Sequence, residues 1–202
     1  MNLSPNALAI LQKRYLQSNE TPDMLIRRVV NHVVQAESAN EREHFASQFY
    51  DLLSSLKFLP NSPTLVNAGT KKGCLSACFV LVPDDTMESI MKIAHDAAMI
   101  EKWGGGIGFG FSRLRPMGDK ISTTHGKAMG VLGAMRIYST IGSEITQGSF
   151  RMGAHMGMLH CSHPEIFEFI HCKDNDDTLK NFNISVIVPD TFMEAVRDNG
   201  EW

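Results

Sequence analysis

The chain has 202 residues, 43% of them apolar and 20% charged, with a formal net charge of −3, a soluble globular profile that excludes fibrous and disordered classes. The 19 basic and 22 acidic residues set up no overall field for nucleic acid, so polyanion binding would need a local patch. No stretch approaches the roughly 18 apolar residues of a membrane span, so neither nucleic acid nor membrane is an expected partner.

In chain order, Ser4-Pro5 opens a helix carrying Leu8, Leu11 and Tyr15, and Thr21-Pro22 opens a second through Leu25, Ile26, Val29, Val30, Val33 and Val34. A third, over 41–56, places Phe45, Phe49, Leu52, Leu53 and Leu56 on one face. Residues 1–57 therefore read as a helical segment. From residue 58 to 202 the texture is α/β: strand-like runs at 77–82, 106–112 and 184–188 alternate with helical ones at 87–102, 130–144 and 164–171. The runs lack strict alternation, which suits mostly parallel strands covered on both faces. A last helical stretch, 192–202, leads to no closing strand, so an incomplete sheet and a fragment are expected.

The four cysteines are too sparse for a disulfide scaffold, and with no signal peptide at the start a reducing cytoplasm is the expected compartment. Cys74-Leu75-Ser76-Ala77-Cys78 stands before an apolar run. Zinc would need two further ligands, and Cys161, His160 and His163 are far along the chain, so no metal site is expected. Residues four apart on a strand lie about 13 Å apart on one face, so two extended cysteines there cannot pair. Either is inert packing, or one is redox-active with a distant partner.

The glycine cluster 104–110 has G-x-G spacings, but a helix precedes it and a strand follows, the reverse of a dinucleotide fingerprint. Glycine there permits close approach of a ligand or tight strand packing. Two loops, Arg113 through Lys127 and Thr146 through Gly153, combine glycines, hydroxyls and guanidinium groups, which suit phosphate as well as plain surface. Pro60-Asn61-Ser62-Pro63-Thr64 reads as a turn whose hydroxyls could also meet a phosphate.

Taken together, Phe58-Leu-Pro-Asn-Ser-Pro-Thr-Leu65, Leu75-Ser-Ala-Cys-Phe-Val80, Gly104-Gly-Gly-Ile-Gly-Phe109, Ser112-Arg-Leu-Arg-Pro116 and Asn181-Phe-Asn-Ile-Ser-Val186 resemble the large chain of ribonucleotide reductases. They are most similar to the adenosylcobalamin-dependent class II enzymes. The resemblance implies helices followed by the first part of a ten-stranded α/β barrel, incomplete in this chain, and reduction of the ribose 2′ carbon by thiyl-radical chemistry with a redox cysteine pair. It implies that Cys78 is one member of that pair, that Ser62 contacts the substrate phosphate, and that Ala77 and Gly106 line the ribonucleotide.

It further implies a deoxynucleoside triphosphate effector site at a homodimer interface, with Asp85 on the effector sugar and Arg115 on a phosphate. The segment from Ser122 to Lys127 would form one effector loop, and Gln147 to Gly153, with Arg151, the loop that reports effector identity. A thioredoxin-type or other dithiol reductant is the implied partner. Cys74 stands where the resemblance implies a polar residue. No counterpart of the thiyl cysteine, the partner redox cysteine or the later phosphate loop is present, so the chain alone is expected to be inactive. A non-catalytic deoxynucleotide-binding and dimerising element, or a class I large chain, are the alternative readings.

Overall fold

In the computed structural model, which describes residues 3–71, 73–145, 154–174 and 177–202, the chain divides into two units, Met1–Ala77 and Cys78–Trp202. The first is helical because its sequence supplies helix starts and apolar stripes. In α1 (Pro5–Arg14), the Ser4 hydroxyl accepts from the Ala7 N–H at 3.2 Å, and in α2 (Pro22–Val33), Thr21 accepts from Met24 at 3.3 Å. Each has proline in its first turn, where a missing N–H costs nothing. A 3-10 turn, Val34–Ala36, leads on to α3 (Arg42–Ser54). Leu25, Ile26, Val29 and Val30 recur at helical spacing and bury against Val34, Leu53, Leu65 and Ala68. Each fully buried large aliphatic there contributes about 1.5–3 kcal/mol.

The segment read as a turn at 60–64 opens a six-residue helix, α4 (Ser62–Asn67), with Asn61 Oδ1 accepting from the Thr64 N–H at 2.9 Å. Turn formers and helix caps are the same residues, which hides a helix this short in the sequence. Its carbonyls are claimed by side chains: Gln17 donates to Val66 O at 3.1 Å, and Arg28 donates to Leu65 O at 3.1 Å and to Ala68 O. Arg28 is anchored in turn on Glu20, Nε to Oε1 2.7 Å and Nη2 to Oε2 3.0 Å. Burial pushes the Glu20 carboxyl up, but the hydrogen bonds from Arg28 and the Gln17 amide, with the charge of Arg28, outweigh it and hold the group below its ordinary value. Thr64 Oγ1 and Asn67 Nδ2 donate to Leu75 O at 2.9 Å and Cys74 O at 2.8 Å, and the first unit extends to Ala77, beyond the boundary after residue 57 that the change of texture suggests.

In the second unit β1 (Cys78–Leu81), β2 (Gly106–Gly110), β3 (His155–His160) and β4 (Phe182–Ile187) form a parallel sheet in the order β1-β2-β3-β4. Right-handed crossovers between sequentially adjacent strands put the connecting helices on one face, as in a barrel wall and unlike a doubly wound sheet. That face is covered by α5 (Met87–Lys102), α6 (Gly130–Glu144) and α7 (Ile166–Ile170), whose side chains pack on Ile107, Phe109, Phe111, Leu159 and Phe182. Phe109 stacks on Tyr138 at 4.7 Å between ring centroids, and Tyr138 donates to Ile90 O at 3.1 Å. Burial pushes the Tyr138 phenol well above its usual range. A last helix, α8 (Asp190–Arg197), buries none of its residues.

The strands are therefore covered on one face among the described residues, where the sequence suggested two. Gly106, Gly108 and Gly110 alternate with buried Ile107 and Phe109. Glycine scores as neither polar nor large, so a strict two-residue period looks like an unbroken apolar run. Strand β3 was not legible at all: His-Met-Gly-Met-Leu-His has no β-branched residue.

Candidate functional site

The side chains opposite the helices define an open sheet face. Parallel register places Cys78 beside Gly106, Val80 beside Gly108, Gly108 beside Met156, and Met156 and Met158 beside Asn183 and Ser185. Cys78 is a free, exposed thiol at the first position of β1, and Val80 on the same face is 69% exposed. A methyl group built on Gly108 would meet only Met158 Cε at 3.5 Å and the Phe79 carbonyl at 3.9 Å, ordinary contact distances, so the fold itself does not forbid a side chain there. Gly105 differs, since a Cβ there would come within 2.6 Å of Ile100 and 2.9 Å of Phe79. A thiol beside a floor without side chains lets a ligand come against the backbone. One thiol can give two electrons only together with a second. Asn183 and Ser185 lie on the same face, a polar pair two apart on a strand that the sequence alone makes readable.

Ser62 and Ala77 belong to the first unit. Ser62 opens α4 and its hydroxyl lies 3.0 Å from the Tyr15 phenol oxygen. Cys74 is also there, its carbonyl accepting from Asn67 Nδ2 at 2.8 Å and its thiol donating to Ser76 O at 3.3 Å.

A second constellation follows β1 and β2. Arg115 donates through Nε to Asp85 Oδ2 at 2.6 Å and through its backbone N–H to Asp85 Oδ1 at 3.2 Å, while Arg113 pairs with Asp84 at 2.8 Å. A second guanidinium donor, Nη1, reaches Lys120 O at 3.2 Å, tying the ion pair to a hairpin in which Lys120 bridges Lys127. Ser122 sits exposed in that hairpin. The structure thus brings together Asp85 and Arg115, two of the residues assigned to the effector, and links them to the Ser122 hairpin. Gln147 and Arg151 lie outside the described residues. Among the described residues no cluster of three or more His, Cys, Asp or Glu could hold a metal ion, and no helix is long and apolar enough to cross a membrane.

The ribonucleotide reductase all-alpha domain matches residues 1–73, and the ribonucleotide reductase barrel domain matches residues 76–202. The chain is 49% identical over 160 residues to the vitamin B12-dependent ribonucleoside-diphosphate reductase of Thermoplasma acidophilum, covering 79% of this chain and 21% of that protein. It is 39% identical to the enzyme of the same name from Mycobacterium tuberculosis strain CDC 1551, covering 99% of this chain and 30% of that protein. The chain therefore spans between about a fifth and a third of the length of these relatives. Its fold is similar to that of the class Id ribonucleotide reductase alpha subunit of Actinobacillus ureae, with a TM-score of 0.80 and 23% identity over 97% of this chain and 35% of that one.

Proposed function

The chain belongs to the ribonucleotide reductase large-subunit family, and from that membership we propose that it contributes the helical portion and first barrel strands of a vitamin B12-dependent ribonucleoside-diphosphate reductase. The observation that carries the proposal is the free thiol of Cys78 beside Gly106 on the open sheet face. In this reading a ribonucleotide lies over the glycine floor against Gly106, and the family resemblance assigns a substrate-phosphate contact to Ser62 and a substrate contact to Ala77. Cys78 and a second cysteine from the remainder of the polypeptide are oxidised to a disulfide. Their two electrons and two protons convert the C2′–OH bond to C2′–H and release water, and a thioredoxin-type dithiol restores the pair.

Adenosylcobalamin supplies radical initiation in such an enzyme. Among the described residues no group of three or more His, Cys, Asp or Glu could ligate its cobalt. Asp85, Arg115 and the Ser122 hairpin form part of the deoxynucleoside triphosphate effector site of a cytoplasmic homodimer. The Asp85–Arg115 pair also supports a second reading, a deoxynucleotide-binding and dimerising element without catalysis.

The test is cobalamin-dependent reduction of CDP by this chain reconstituted with the polypeptide that completes the barrel. Turnover supports the first reading. A soluble reconstituted complex without turnover, together with dTTP-dependent dimerisation, selects the second.

A further inference from the structure

The hydroxyl of Ser62 has one polar partner among the described residues, the Tyr15 phenol at 3.0 Å, across 47 residues of sequence. That contact is not what holds α4 in place. Asn61 caps its first turn, and Gln17 and Arg28 claim the carbonyls of Val66, Leu65 and Ala68 at its far end. Nor is the phenol oxygen needed to hold the tyrosine, whose ring packs against the aliphatic cluster of α2 and α4 and whose backbone closes α1 through its N–H to Leu11 O. The fold therefore fixes both backbones, and the oxygen–oxygen contact adds the orientation of one hydroxyl.

We infer that Tyr15 is a positioning residue that donates to Ser62, so that the Ser62 hydroxyl proton is left directed at an anionic phosphate oxygen of the nucleotide. The direction follows from donor strength. A phenol, with a pKa of about 10, is a better proton donor than an aliphatic alcohol. A serine that accepts from tyrosine is polarised toward donating its own proton. An anionic oxygen accepts only, so this is the one polarity of the pair that serves it. The inference rests on the reading of Ser62 as a phosphate contact and adds the residue that gives that contact its direction.

The experiment uses the reconstituted reductase with Tyr15→Phe, Ser62→Ala and the double variant, measuring KM and kcat for CDP alongside the melting temperature. Tyr15→Phe is expected to raise KM about three- to tenfold, the size of one hydrogen bond, with kcat held within about twofold and melting unchanged within about a degree. Ser62→Ala is expected to raise KM at least as far, and Tyr15→Phe to add nothing in its background, because the phenol acts only through that hydroxyl. An unchanged KM, a fall in kcat of the same size, or additive effects would overturn the inference. If the wild-type assembly does not reduce CDP, the proposed function fails, and calorimetry of CDP with the 202-residue chain decides the present point separately. Weaker CDP binding by Tyr15→Phe sustains it; equal affinities, or none, overturn it.

Discussion

Cys78 and Gly106 are register partners across the β1–β2 ladder, so the thiol's lateral neighbour on the open sheet face has no side chain. Adding a methyl there tests whether that face receives a nucleotide. Gly106→Ala in the reconstituted reductase should raise KM for CDP by about tenfold or more, equivalent to about 1.4 kcal/mol, with melting nearly unchanged because the position is on the uncovered side. A KM within twofold of wild type would mean that the substrate does not approach this strand.

Cys78→Ser keeps the shape of the side chain and removes the electrons. Multiple turnover with a dithiol reductant should fall to background, since serine cannot close a disulfide. Steady-state deoxynucleotide formation is the measurement, and retained turnover would assign the reducing thiol to another cysteine.

How much of this was legible in the sequence depends on how far apart the cooperating residues lie. Helix α5 runs over the residues that its pattern indicates, because Thr86 caps it and Gly104-Gly105 ends it, all local signals. The Cys78 segment was found through a contiguous motif. The Tyr15–Ser62 contact spans 47 residues and the Glu101–His155 contact 54, and no periodicity connects such partners before the chain folds. Strand β3 was lost for a different reason: its methionines and histidines have neither β-branching nor a polar alternation, and only pairing with β2 and β4 makes them extended.

The Asp85–Arg115 pair should matter more for ligand binding than for folding. Both side chains are about a third exposed, at 33% and 36%, and pairs this wet contribute about 0–1 kcal/mol. Asp85→Ala should therefore shift the unfolding free energy by less than about 1 kcal/mol while it abolishes dTTP-dependent dimerisation. Sedimentation with and without dTTP separates the two effects, and dimerisation as in wild type would remove Asp85 from the effector site.

Acid should weaken the first unit through Glu20. Its folded carboxyl lies below the ordinary value of 4.5, so it binds protons more weakly when folded than when unfolded. The resulting stabilisation is complete above the unfolded value and is lost as pH falls through the folded one. Glu20→Gln should cost about 1.5–3 kcal/mol at neutral pH, the range for hydrogen bonds to a charged group, and should flatten the loss of stability on acidification below about pH 4.5. Denaturant titrations from neutral to acid pH check this, and parallel curves for wild type and variant would show that the Arg28 contact does not govern acid unfolding.

The least expected group in the core is the hydrogen-bonded pair of Glu101 and His155, whose side chains are 3% and 0% exposed behind the sheet. Phe109 and Phe182 present edges to the imidazole, and Gly142 gives it room, since a Cβ at 142 would come within 2.6 Å of the ring. Glu101 Oε2 and His155 Nδ1 have no hydrogen-bond partner among the described residues. A buried polar pair that is only half satisfied holds itself together more than it stabilises the fold. His155→Leu, which leaves the carboxyl buried alone, should therefore cost about 3–5 kcal/mol, whereas combining it with Glu101→Met should recover most of that loss. Urea unfolding of the single and double variants measures the difference. A double variant as unstable as the single one would show that the pair is a net stabilising contact, with the aromatic edges around His155 depending on an imidazole rather than on any apolar side chain of similar size.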